Sequence, residues 1–323
     1  MKKYNGALAQ LVEQWPFKPF VTGSNPVRPI KNMFKKLLFA IYFIPLFSFS
    51  QTVSINDEFG NKLNANYINN DSSKTIVVIL HGTRGHKKLE LIQTLTERFS
   101  DSNIDTLSMN LSYGITNRND DFLPCNIIHD HLSSHSISEI KLWFNFIKQK
   151  NKYEKIILLG HSRGGLNMAQ FYSSLSDDNK EIISNVIMLA PISDEYLDII
   201  ERIKNDSLIQ KIKNNNIGDD QVIKIDFMSC NNAEVKYLTY KDYTHINNTD
   251  IGSRGSLIGL LNSFSVRTLI VTASDDDITP NTYERVSSIN NRYINVVQID
   301  DADHFFRDLY FDDMFDTILE FIQ

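Results

Sequence analysis

Four stretches of the chain are apolar or β-branched at nearly every position rather than at every second one: Thr75–Leu80, Ile156–Leu159, Asn185–Ala190 and Arg267–Ala273. A strand exposed on one face alternates, whereas a strand covered on both faces reads as a continuous apolar run, so these four predict the interior of a parallel sheet. Helical spacing lies between and after them. It appears in Leu89–Phe99, in Ile137–Gln149 through Ile140, Leu142, Trp143, Phe146 and Ile147, in Leu166–Phe171, after Pro280, and in Leu309–Phe321. Asp105–Met109 and Asn295–Ile299 supply further strands, and Thr52–Asn70 reads as an edge hairpin around Phe59-Gly60-Asn61. Strand, helix and strand in this order predict right-handed parallel crossovers with helices on both faces of the sheet.

Two stretches break the alternation. Asn110–Ser134 is long, polar and poorly periodic, a length that marks a functional loop or a covered excursion and places it near a site. Ile192–Ser265 carries helix-like patches at Tyr196–Ile212 and Ser256–Phe264 and an alternating patch at Val235–Tyr240. It reads as an insertion capping the carboxyl edge of the sheet. Residues 51–323 are therefore expected to form one α/β domain with a cap over about 192–265.

The amino terminus has a different pattern. Met33-Phe34-Lys35-Lys36 and the apolar run Leu37–Phe47 have the form of a secretory signal, with Ser48 and Ser50 as the small residues of a cleavage site before Gln51. An uncleaved anchor is the alternative, disfavoured by the shortness of the run. Residues 1–32 are polar and aperiodic, and Gly6–Gln14 and Gly23–Pro29 resemble the translation of a transfer-RNA gene. Met33 is thus the expected start, the alternative being a real extension.

Charge narrows the partners. The chain of 323 residues has a formal net charge of −6, but seven Lys/Arg and one acidic residue precede Gln51, leaving 26 basic and 38 acidic residues beyond it. An acidic body argues against nucleic acid or an anionic membrane as the main partner. No stable membrane span is expected after signal cleavage.

The chemistry centres on Gly160-His161-Ser162-Arg163-Gly164-Gly165, which follows one predicted buried strand and opens a predicted helix. A strand that turns at once into a helix strains the serine backbone and leaves no room for side chains two residues either side, which accounts for Gly160 and Gly164. The turn lifts the Ser162 hydroxyl off the sheet and sets the Arg163 N–H at a helix N-terminus, where negative charge is stabilised. A serine needs a base, and the base a carboxylate. His304 follows the strand at 295–299, and Asp275-Asp276-Asp277 follow the strand at 267–273.

His81-Gly82 after the first buried strand, the Ser162 turn, Asp276–Pro280 and His304 come in the order found in α/β-hydrolases, which Thr75 to the carboxyl terminus resembles. The resemblance implies an α/β-hydrolase fold and a serine hydrolase with Ser162 as nucleophile, His304 as base and Asp276, four residues before Pro280, as acid. It implies an oxyanion hole from the Thr83 and Arg163 N–H groups. His81 is expected to be a structural hydrogen-bonding residue, and His161 to turn away from the reaction. Thr83-Arg84-Gly85-His86 departs from the aromatic or glycine-rich versions of this segment, so the substrate is open. The closest pattern is a bacterial branch with a His-Gly-Thr-x-Gly-His start and a Gly-His-Ser-Arg-Gly-Gly turn.

His129, His131 and His135 have the spacing of metal ligands, but caps, hydrogen bonds or the lining of an entrance account for histidines in such a loop; neither metal nor cofactor is expected. Cys125 and Cys230 are the only cysteines, and in an oxidising compartment they would either pair, tying loop to cap, or remain free. The expected function is a secreted or periplasmic serine hydrolase acting on a small-molecule acyl substrate through an acyl-enzyme, with carboxylic esters favoured. A peptidase, thioesterase or acyltransferase on the same fold, or a non-catalytic binding protein, are the alternatives. The oligomeric state is not readable.

Overall fold

The computed structural model describes residues 49–193, 214, 217–244 and 256–323. The expected helix-like patch at 196–212 and the apolar run at 37–47 lie outside the described residues. Among the described residues eleven strands form two sheets. The larger has the order β1-β2-β4-β3-β6-β7-β10-β11, from β1 (Phe49–Asn56), β2 (Lys62–Asn69), β3 (Thr75–Leu80), β4 (Asp105–Met109), β6 (Lys155–His161), β7 (Ile183–Leu189), β10 (Arg267–Ala273) and β11 (Ile294–Ile299). Within this sheet pairing is antiparallel for β1/β2 and β2/β4, and parallel from β4 to β11.

The continuous apolar runs are explained by the two faces. Ile76, Val78, Leu80, Leu158, Val186, Met188 and Ile270 point into one core cluster, and their neighbours Val77, Ile79, Ile157, Leu159, Ile187, Leu189 and Val271 into the other. The first face is covered by α2 (Ser133–Gln149) through Ile140, Trp143, Phe144 and Ile147, and by α3 (Arg163–Ser174). The second is covered by α1 (Glu90–Asp101) through Leu91, Ile92, Leu95 and Phe99. There α1 meets the last helix (Leu309–Ile322), and Phe99 packs against Phe315 with ring centroids 5.1 Å apart. Each such side chain fully buried contributes about 1.5–3 kcal/mol relative to exposure. Helix α1 stops where Asn103 takes φ 59°, with the Ile104 N–H donating to the Phe99 carbonyl at 2.9 Å and the Asn103 N–H to the Ser100 carbonyl at 3.0 Å, a Schellman ending.

The covering layer differs from expectation in three ways. A second sheet, β5-β9-β8, joins β5 (Ile128–His129) from the long loop to β9 (Cys230–Lys236) and β8 (Val222–Phe227) of the insertion. The alternating patch at 235–240 is not one strand: β9 ends at Lys236, and Tyr237–Thr244 is a helix, α5, after the short α4 (Asp177–Lys180). Helix α2 begins at Ser133, so His135 is helical rather than part of the loop. Cys125 and Cys230 form a disulfide with Cα atoms 5.4 Å apart, tying loop to insertion. The remaining helices among the described residues are α6 (Leu257–Leu261), α7 (Thr282–Ser287) and α8, the last helix. No described helix is long and apolar enough to cross a membrane.

Candidate active site

The turn between β6 and α3 has the strain its glycines foretold. Ser162 stands at φ 55°, ψ −123°, a region that costs a non-glycine residue about 1–3 kcal/mol and persists only when its surroundings over-determine it. Here they do. The Ser162 N–H donates to the Leu189 carbonyl at 2.8 Å, and the Ser162 carbonyl accepts from Gly165 at 3.0 Å and Ile192 at 3.3 Å. A Cβ on Gly160 would lie 2.2 Å from the Gly164 carbonyl oxygen, and one on Gly164 2.5 Å from the His81 carbonyl oxygen. No side chain fits at either place.

Of the three consecutive aspartates, Asp276 alone is buried, and its Oδ2 lies 2.8 Å from His304 Nδ1. Its other contacts fix the carboxylate. Oδ1 accepts from the Ile278 and Thr279 N–H groups at 2.8 and 2.7 Å, and Oδ2 from the Thr279 hydroxyl at 2.6 Å. Burial by itself raises its pKa, but hydrogen bonding from His304, the His304 charge and hydrogen bonds from Thr279 outweigh it and hold the carboxyl at about 2. An ionised Asp276 accepts from Nδ1–H and leaves Nε2 of His304 as the basic nitrogen. The Asp275 N–H donates to the Ala302 carbonyl at 2.9 Å, joining the aspartate turn to the histidine loop.

His161 does not turn away from this pair. Its Nε2 donates to the His304 carbonyl at 2.9 Å, and the two rings lie 4.7 Å apart. Burial, and then the neighbouring His304, lower its pKa to about 3, so the ring is neutral and Nε2 carries its one proton. The reason is a buried carbonyl on the His304 segment that needs a donor. His161 thereby fastens that segment to the residue next to Ser162.

On the other side of Ser162 runs the His81–Gly85 segment, close enough that a Cβ on Gly82 would be 3.0 Å from the Ser162 Cβ. His81 is buried, and both ring nitrogens are used: Nδ1 lies 2.8 Å from the Gly82 carbonyl, and Nε2 accepts from the Leu111 N–H at 3.2 Å. Thr83 and Arg163 are brought together, since Arg163 Nε donates to the Thr83 hydroxyl at 3.3 Å. The Arg163 guanidinium also lies 5.5 Å from the centre of the Tyr243 ring on α5, linking the turn to the covering layer.

Several residues around the site carry no motif. Arg118, buried in the long loop, and Tyr113 and Tyr243, packed against the two sides of His131, would each pass for surface or core residues in the sequence. Glu139 on α2 is buried and accepts from the Ser112 N–H at 2.8 Å and hydroxyl at 2.5 Å; burial, only partly offset by these bonds, pushes its pKa up to about 7. Among the described residues no group of three or more His, Cys, Asp or Glu is arranged to hold a metal, and His129, His131 and His135 are divided between a strand, its exit and a helix.

A mostly parallel sheet covered on both faces, with a serine turn after one central strand and an Asp–His pair on later connections, defines the α/β-hydrolase fold. Residues 71–304 match the family Hydrolase_4, described as serine aminopeptidase, S33, and the chain belongs to that family. Solved structures share the fold. Est1E from Butyrivibrio proteoclasticus is 20% identical over 84% of this chain and 98% of its own, with a TM-score of 0.58; the ferulic acid-bound form of Est1E is 21% identical over 84% and 97%, with a TM-score of 0.61. The Pyrococcus furiosus esterase Pf2001 is 15% identical over 85% and 92%, with a TM-score of 0.53. A comparison with curated proteins finds no match.

Proposed function

We propose that the protein is a serine hydrolase that cleaves a carboxylic ester through an acyl-enzyme on Ser162. The observation that carries this reading is the buried Asp276–His304 pair, fastened by His161 beside a serine held at φ 55°. Ser162 Oγ attacks the ester carbonyl while His304 Nε2 takes its proton, and Asp276 stabilises the imidazolium. The Thr83 and Arg163 N–H groups stabilise the oxyanion. As the intermediate collapses, the bond to the leaving alkoxide breaks and His304 returns the proton to it. Water then repeats the sequence on the acyl-enzyme, releasing the acid and free Ser162.

Esters are favoured because an alkoxide leaves more readily than an amine, and Pf2001, which shares the fold, is named an esterase. The family description, serine aminopeptidase, favours a second reading as a peptidase on the same machinery. Secretion is supported by the signal-like stretch 33–50 and by the use of both cysteines in a disulfide.

A fluorophosphonate probe should label the parent protein, and Ser162→Ala should abolish labelling while leaving circular dichroism unchanged. Equal labelling of parent and variant would disprove the nucleophile. Turnover of p-nitrophenyl esters against aminoacyl-p-nitroanilides separates the two substrate readings, and an amino terminus at Gln51 in the exported protein tests secretion.

A further inference from the structure

We propose that Arg118 is a positioning residue for the oxyanion hole: it sets the tautomer of His81, and His81 in turn aims the Gly82–Thr83 peptide. The inference rests on the reading of the Thr83 N–H as an oxyanion donor.

The carbonyl of one residue and the N–H of the next belong to a single planar trans peptide and point in opposite directions. Whatever fixes the Gly82 carbonyl therefore fixes the Thr83 N–H. Two donors hold that oxygen, His81 Nδ1 at 2.8 Å and the Gly85 N–H at 3.1 Å. The first can donate only if the single proton of a neutral His81 is on Nδ1. Burial, and then the Arg118 charge, lower the His81 pKa well below its ordinary value, so the ring is neutral and its tautomer matters.

The other nitrogen decides the tautomer. His81 Nε2 faces the Leu111 N–H at 3.2 Å and Arg118 Nη2 at 3.4 Å. An arginine in a protein has donors and no acceptor at any accessible pH, so a proton on Nε2 would face two N–H groups. Arg118 cannot swing aside to relieve such a clash. Its Nε donates to the Leu111 carbonyl at 2.6 Å, Nη1 to the Asp121 carbonyl at 2.8 Å, and Nη2 to the Gly85 carbonyl at 2.5 Å. The guanidinium also lies 5.3 Å from the Tyr113 ring centre. One buried cation from the long loop thus holds the far end of the 81–85 segment through Gly85 and the near end through His81. A lysine, with one point of charge, cannot reproduce this fork.

The test begins with the native protein. Long-range ¹⁵N–¹H correlation should find the His81 ring protonated on Nδ1 and not on Nε2; an Nε2-protonated ring overturns the proposal without any substitution. Arg118→Met should shift His81 toward Nε2 protonation and lower the maximal rate of Ser162 labelling by fluorophosphonate about ten- to hundredfold, short of the 10²–10³ lost with a whole oxyanion donor. The half-saturating probe concentration should stay within about threefold, since only the reacting state is affected.

His81→Asn keeps a donor near the Nδ1 position and needs no tautomer. In that background Arg118→Met should change the labelling rate less than about threefold, the non-additivity expected of groups acting in series. Equal losses from Arg118→Met in both backgrounds overturn the proposal. Lys88→Met, which removes an exposed contact with the neighbouring Asp120, should alter neither tautomer nor rate. An unlabelled parent would sink the hydrolase reading instead, while the His81 tautomer would still report on Arg118.

Discussion

The floor of the site and the layer above it handle buried polar groups in opposite ways. In the floor, Asp276 has four hydrogen-bond contacts, His161 holds a carbonyl, and both His81 nitrogens are engaged. In the layer, both ring nitrogens of His129 and of His131 and the Thr239 hydroxyl have no hydrogen-bond partner among the described residues. Contact there is ring against ring: His131 lies 4.9 Å from Tyr113 and 5.5 Å from Tyr243, and His129 lies 5.5 Å from Phe227. Groups that must meet developing charge at a fixed place need directional bonds, which cost no reorganisation during reaction. A cover needs only to exclude water, and non-directional packing with one covalent tie suffices.

Removing one directional bond from the floor should be the most damaging change. Asp276→Asn should cut turnover by about 10⁴, the loss seen when the orienting carboxylate of a serine triad becomes an amide. Asp275→Asn and Asp277→Asn, both exposed, should stay within about tenfold. Turnover of the three variants, each shown folded by circular dichroism, checks it. A dead Asp275 or Asp277 variant beside an active Asp276→Asn would mean that the 2.8 Å contact is not the working one.

Steric demand gives the next effect. Gly160→Ala forces a Cβ to within 2.2 Å of the Gly164 backbone, which cannot move without unwinding the first turn of α3. A destabilisation of about 3–5 kcal/mol is expected, in the range that marks a named structural fault, and denaturant titration measures it. A loss below 1 kcal/mol would show the turn to be pliable.

These two predictions fall where the sequence was most legible. A strained serine forces glycines two residues either side, and a doubly covered strand forces a continuous apolar run, so Gly160, Gly164, β3 and β6 are written in local residue types. The covering layer is not. Ile223, Ile225 and Phe227 alternate as a strand should, yet they sit in a charged stretch, and in their hairpin partners Cys230–Lys236 polar residues outnumber the apolar Ala233 and Val235. Strand β5 is two residues long and has no period to read. A lone Arg118 in a polar loop looks like a solvated charge; its burial depends on carbonyls at Gly85, Leu111 and Asp121, and carbonyls leave no mark in a sequence.

The covalent tie can be cut separately. The Cys125–Cys230 disulfide spans 105 residues, and the loop-entropy estimate for about 100 residues is roughly 4.7 kcal/mol, with 2–4 kcal/mol the usual yield. Cys125→Ser with Cys230→Ser should lose about that much stability. Hydrogen exchange should rise first across residues 110–132 and 222–244, while β3, β6 and β7 keep their protection. Uniform loss of protection would mean that floor and cover unfold as one unit.

The smallest effect separates the histidines of the two regions by pH. Burial, followed by the charges of His129, His135, Arg163 and Arg118, lowers the His131 pKa to about 3; burial and Arg84, against Asp130, lower that of His129. In the unfolded chain a histidine titrates near 6.5. Above that pH both states are neutral and the stability is fully present. As pH falls from 6.5 toward 3 the unfolded chain takes up a proton that the folded chain refuses, and stability declines by about 1.4 kcal/mol per unit. His81 and His161 shift in the same direction, so the parent's acid sensitivity alone does not distinguish the regions. Substitution does. His131→Phe keeps a ring among Tyr113, Phe227 and Tyr243 and removes the titration. It should match the parent within about 1 kcal/mol at pH 7.5 and exceed it by about 2 kcal/mol at pH 5, where the parent is 1.5 units below the unfolded value. His161→Phe abandons the His304 carbonyl and should be less stable than the parent at pH 7.5 by about 1–3 kcal/mol. Denaturant midpoints at the two pH values decide it: equal pH slopes for the parent and His131→Phe would mean that the folded layer accepts a proton on His131 as readily as the unfolded chain does.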